Sequence, residues 1–186
     1  VTARMKGFDV ELFLKESVAI DTEAYQQNGN IALNKIVDVK MHRIPNDNAM
    51  MNKVKARMDQ IIKDGGKPYF IPVGGSNALG NFGYVDCYSE LLKQQEDLQL
   101  KFDYVVAASG SGGTHGGLII GQILSGADMR VKAYNVQPEH DELVDHTMAI
   151  CNETLQWLGR SPISKDEINL NSSYSGAAYG FPEDIH

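Results

Sequence analysis

The stretch that decides the fold is Tyr104-Val105-Val106-Ala107-Ala108-Ser109-Gly110-Ser111-Gly112-Gly113-Thr114-His115-Gly116-Gly117-Leu118-Ile119-Ile120. A run of apolar, β-favouring residues gives way to five glycines with hydroxyls among them. An apolar segment with helical spacing follows. This is a strand–loop–helix unit, and residues 103–108, apolar at both alternations, predict a parallel strand buried on both faces. Thr114 to Leu124 predicts a buried helix. The free N–H groups and partial positive charge of its first turn favour an anion. The glycines let the backbone approach it, and Ser109, Ser111 and Thr114 add donors.

Working outward, the same alternation recurs. Residues 8–14, Val37 to Ile44, 69–73 and 131–136 predict strands. Helices are expected from Asp47 to Gly65-Gly66, from Tyr84 to about Asp97, and from Asp141 to Leu158 with Gly159 as its stop. The tail from Ser161 predicts loop plus one short strand. The fold class is therefore α/β, with open, mostly parallel sheets and flanking helices. A second glycine-rich turn, Val73-Gly74-Gly75-Ser76-Asn77-Ala78-Leu79-Gly80, divides the chain into residues 1–66 and 67–186. It places Ser76 and Asn77 at the carboxyl end of a strand, where open α/β sheets take ligands.

Composition narrows the function. The 186 residues carry 24 acidic against 17 basic side chains, a net charge of −7. With no compensating Lys/Arg run, nucleic acid and anionic membranes are not expected partners. No apolar run approaches membrane-spanning length. Cys87 and Cys151 make no disulfide framework and read as small core residues in a reducing cytoplasm. Histidines 42, 115, 140, 146 and 186 show no metal-ligand spacing, so no metal site is expected.

Two anions compete for the loop. A nucleoside triphosphate loop would need Gly-Lys-Ser/Thr, and no lysine is present. Gly110, Gly112 and Gly116 fit a loose dinucleotide pattern, so a nucleotide-binding oxidoreductase stays open as an alternative. Such a site wants an acidic residue ending the next strand, and that strand ends Asn135-Val136-Gln137. Several hydroxyls in one short loop suit a single phosphate monoester better than a pyrophosphate.

Together the two loops carry a resemblance. Pro68 to Gly80 followed by Gly83-Tyr84, and the loop from Ala108 to Gly117, resemble the D-cysteine desulfhydrase and 1-aminocyclopropane-1-carboxylate (ACC) deaminase family. Thr22 to Asn30 matches that family approximately, and Tyr179-Gly180-Phe181-Pro182-Glu183 resembles its Tyr-Gly-x-Pro-Asn segment. The resemblance implies the tryptophan-synthase-β-like fold, type II of the pyridoxal 5′-phosphate (PLP) enzymes. Residues 1–66 would belong to the smaller α/β domain and 67–186 to the larger, phosphate-binding one.

It further implies that Ser109, Gly110, Ser111, Gly112, Gly113 and Thr114 hold the cofactor phosphate. Tyr179 would be a catalytic phenol, and Ser76 and Asn77 would line the substrate site. The substrate would be a small amino acid and the intact enzyme a homodimer. Ser76-Asn77-Ala78-Leu79 leans toward D-cysteine over ACC. The family's lysine, carried in Asn-Lys-x-Arg-Lys, has no counterpart here, since Asn34-Lys35 runs on as Ile36-Val37-Asp38. The chain is thus expected to be an internal fragment without the Schiff-base lysine, inactive by itself.

Overall fold

The computed structural model describes residues 1–15, 22–44, 49–137 and 140–176. They divide into two compact units, Val1–Phe70 and Ile71–His186.

In the first unit, strands β1 (Glu11–Lys15) and β2 (Lys40–Ile44) pair in parallel, from Glu11 opposite Lys40 to Lys15 opposite Ile44. Helices α1 (Thr2–Met5), α2 (Glu23–Gln27), α3 (Gly29–Ile36) and α4 (Met50–Lys63) flank them. Each start has a local cause where a cap exists. Thr22 Oγ1 accepts from the Tyr25 amide, and Asn28 Oδ1 from that of Gly29. Gly65, at φ +85°, ends α4 as the sequence predicts. Val39, Ile44 and Val54 are the buried apolar side chains among this unit's described residues. Glu11 is clamped: Arg57 donates to both its oxygens at 2.5–3.0 Å, and His42 Nε2 lies 2.8 Å away. The Arg57 bonds lead in holding the Glu11 carboxyl down to about 2.

The second unit carries the parallel sheet β3 (Tyr104–Ser109), β4 (Arg130–Asn135), β5 (Leu170–Asn171), in that order. Helices α5 (Ala78–Leu98), α6 (Gly113–Ser125) and α7 (His140–Trp157) pack with it. The core joins Val85 and Tyr88 of α5, Leu118 to Ile120 of α6, Val131 of β4, and Cys151 and Leu155 of α7. Burial pushes the Cys151 thiol up to about 12, as befits an inert core residue.

The sheet order and the glycine pattern of α6 fix how this core closes. Gly113, Gly117 and Gly121 recur every four residues, so they line one face. A Cβ on Gly117 would sit 2.5 Å from the Asn81 carbonyl oxygen and 2.5 Å from Tyr84 Cβ; one on Gly121 would sit 2.5 Å from Tyr88 Cβ. That row lets α6 lie against α5 almost backbone to backbone. Asn81, fully buried in the joint, donates to the Ile150 carbonyl and to Thr154 Oγ1 of α7. His115 is also fully enclosed, with neither ring nitrogen hydrogen-bonded, and burial pushes its pKa down to about 4.

Several expectations change. Residues 69–73 form no strand: Tyr69, Ile71 and Val73 are exposed, and Val73–Gly75 is a 3₁₀ turn closed by the Gly75 amide on the Pro72 carbonyl. Pro72 has no N–H to give a sheet ladder. β3 is not buried on both faces, since Val106 is 62% exposed and Tyr104 is open beside it. Its place at the sheet edge and an uncovered face explain this. α5 starts at Ala78, six residues before the expected Tyr84, because Asn77 Oδ1 accepts from the Gly80 amide at 2.7 Å. The expected cap Asp47 lies outside the described residues.

Two stability predictions follow from this packing. Gly117→Ala should lower stability by about 1–2 kcal/mol, overpacking outweighing the helix-propensity gain. Gly83→Ala, on α5 with nothing within 4 Å of the added Cβ, should instead raise it by about 0.5–1 kcal/mol. Urea titration of both variants checks the opposite signs. For His115, the unfolded chain binds a proton near the ordinary pKa of about 6.5, the folded chain only near 4. Between those values the unfolded state holds more protons, so stability falls as pH drops through that window, by up to about 3 kcal/mol. Urea midpoints at pH 7 and pH 4.5 should show the loss, and His115→Leu should flatten it.

Candidate functional site at the carboxyl end of the sheet

β3 and β4 end side by side, Ser109 opposite Asn135. Parallel strands bring both carboxyl ends to one edge, and there the chain turns into α6. Gly112 takes φ +81° at the helix N-cap, and its missing Cβ makes room for α7, since one there would sit 2.5 Å from Thr147 Oγ1. No side chain of the N-cap residue covers the helix end, and no acidic residue occupies its first turn. Of the first three amides of α6, that of Gly113 finds an acceptor among the described residues, Ser76 Oγ at 3.1 Å; those of Thr114 and His115 find none there.

The hydroxyls of the loop divide by partner. Ser109 Oγ is buried at the strand end with no protein partner. Ser111 Oγ accepts from Ser76 Oγ at 2.8 Å. Ser76 is 4% exposed. The turn that carries it is held by two positive-φ glycines, Gly74 and Gly75, and by the Ser76 amide on the Val73 carbonyl. Asn77 spends its side-chain oxygen on capping α5. Thus Ser76, Ser111 and Gly113 meet directly, with Gly112 between the last two in sequence and Ser109 at the strand end two residues before Ser111. Asn77 stands at the next helix start, and Tyr179 lies outside the described residues.

Asn135, which no sequence motif marks, also belongs to this edge. It is buried, donates to Ser172 Oγ at 3.1 Å, and accepts from the Gln137 amide at 2.8 Å. Ser175 Oγ donates to its carbonyl. The signal was the parallel pairing itself, which sets the last residue of β4 beside Ser109. An amide already bonded on both sides stands where a dinucleotide site would want a carboxylate for the ribose.

The donor set fits a phosphate monoester. A buried hydroxyl lacking a partner, bare first-turn amides and a helix end without a carboxylate all await an acceptor. Among the described residues no group of three or more His, Cys, Asp or Glu could hold a metal, and no helix is long and apolar enough to cross a membrane.

The chain is 31% identical over 165 residues to an ACC deaminase of Pseudomonas syringae pv. tomato, covering 86% of this chain and 48% of that protein. It is 32% identical over 184 residues to a mitochondrial bifunctional D-cysteine desulfhydrase/ACC deaminase of Arabidopsis thaliana, covering 94% and 44%. A crystal structure of an ACC deaminase homologue superposes with a TM-score of 0.80 at 28% identity, over 97% of this chain and 52% of the other. The chain therefore spans about half the length of the relatives it matches. With residues 1–185 matching the pattern of the pyridoxal-phosphate dependent enzymes, this chain belongs to that family, in its type II fold.

Proposed function

We propose that the intact protein is a PLP-dependent lyase or deaminase of small amino acids, with D-cysteine the favoured substrate and ACC the alternative. The single observation that carries the site assignment is the buried, partnerless Ser109 hydroxyl beside the bare first turn of α6. Ser109, Ser111 and Thr114 with the amides of residues 110–112 and 114 would hold the cofactor phosphate, the Gly113 amide being spent on Ser76. Ser76-Asn77-Ala78-Leu79, which resembles the desulfhydrase motif, supports D-cysteine.

When bound, PLP supplies an electron sink for charge developing at the substrate's α-carbon. The chain's own residues fix where that sink lies. The strand end and helix dipole anchor the phosphate, and the packing of α5, α6 and α7 keeps water from the anchor's inner side. Tyr179 is proposed as the phenol near the reacting atoms; its ordinary pKa near 10 requires cationic neighbours for proton transfer. Residues 1–66 would form the smaller domain, and the intact enzyme a homodimer in the cytoplasm.

D-cysteine would yield pyruvate, sulfide and ammonia. Sulfide release from D-cysteine by the intact protein, exceeding deamination of ACC, is the expected result; the reverse order would assign ACC. No lysine of this chain lies in Asn-Lys-x-Arg-Lys, so the 186 residues alone are expected to bind phosphate and release no sulfide. Ser109→Ala separates binding from folding. Its hydroxyl has no partner to lose, so urea stability should hold or rise slightly. Affinity for pyridoxine 5′-phosphate, measured by calorimetry, should fall about tenfold, the scale of one hydrogen bond to a charged acceptor.

A further inference from the structure

We propose that Ser76 is a positioning residue that makes Ser111 a one-way hydrogen-bond donor toward the phosphate. The inference rests on the phosphate reading of the loop and deepens it. The Gly113 amide lies 3.1 Å from Ser76 Oγ, and Ser76 Oγ lies 2.8 Å from Ser111 Oγ. An amide N–H can only donate, so it takes a lone pair of Ser76. The Ser76 hydroxyl has one hydrogen, and it goes to Ser111. With a lone pair of its own so used, Ser111 keeps its hydrogen for an outside acceptor.

The three groups therefore run in series, Gly113 N–H to Ser76 O–H to Ser111 O–H, all polarised in one sense. Bonds aligned this way reinforce one another. The series starts on a first-turn amide of α6, so the positive end of the helix reaches Ser111 through one hydroxyl, that of Ser76. A ligand that only accepts, such as a phosphate dianion, is matched; one that must donate there is not. Ser76 thus reaches the ligand through Ser111, not by touching the substrate.

Two glycines make this contact possible. A Cβ on Gly113 would lie 2.6 Å from Ser76 Oγ and 3.1 Å from its Cα. A Cβ on Gly74 would lie 2.3 Å from Ser111 Oγ, and Gly74 already holds φ +68°. Two turns 35 residues apart in sequence are cut away at the points where the series crosses between them. Two residues before Ser111, at the end of β3, the Ser109 hydroxyl is buried with no protein partner, as a group awaiting a ligand would be.

The test is a double-mutant cycle on the full 186-residue chain, titrated with pyridoxine 5′-phosphate by calorimetry, with unphosphorylated pyridoxine as control. Ser76→Ala and Ser111→Ala should each weaken binding about tenfold. The double variant should bind no worse than Ser111→Ala alone, since both remove one donor. Ser76→Thr, which keeps the hydroxyl, should restore binding. Wild-type affinity in Ser76→Ala beside a weakened Ser111→Ala overturns the series, as does a double variant about a hundredfold weaker. Should Ser76→Ala lose its circular dichroism signal, Ser76→Cys carries the same expectation, its thiol being a poor donor. No binding by the wild-type chain overturns the phosphate reading itself, and this proposal with it.

Discussion

Everything at the site hangs on the close approach of α6 to α5. Gly113, Gly117 and Gly121 present no side chains to the facing helix, and Ser76, Asn81, Tyr84 and Tyr88 fill the space that Cβ atoms would take. With α6 so near, the Ser76 hydroxyl comes within hydrogen-bond distance of an α6 amide, and Asn81 reaches across to α7. A larger residue in the row would push the helix out and carry the first-turn amides with it. Core packing and anion binding therefore share one constraint, because the helix end that binds is the end of the helix that packs.

Two buried polar side chains near the start of α6 lack partners. His115 is buried without hydrogen bonds, and Ser109 keeps an unpaired hydroxyl at the strand end. Buried polar groups without partners cost stability, and functional sites are where proteins retain them. Ser109 has a clear claimant in a phosphate. The His115 ring has none among the described residues; it fills volume in the first turn of α6, where burial holds its pKa down to about 4.

Much of this was legible along the chain. The strand–loop–helix unit could be read from Tyr104 to Leu124, because apolar runs, glycines and hydroxyls follow one another there in the order that such a unit requires. The stops at Gly65 and Gly159 were legible for the same local reason, each taking a positive φ. The strand at 69–73 was misread because its apolar residues are exposed and Pro72 breaks the ladder. The exposure of β3 could not be read either: periodicity reports which residues are apolar, not what covers them.

The sequence by itself determined the local chemistry: which segments are strand or helix, where the backbone must turn left-handed, and that one loop is rich in donors without a carboxylate or lysine. Those properties belong to residues near in sequence. Only the tertiary structure decided which donors act together. Ser76 meets Ser111 and Gly113, and Asn135 stands beside Ser109, through parallel pairing and a helix contact spanning tens of residues. No local pattern encodes such distances, because they are set by how closely backbones can approach, and here the absence of a side chain at Gly74, Gly113, Gly117 and Gly121 sets that limit.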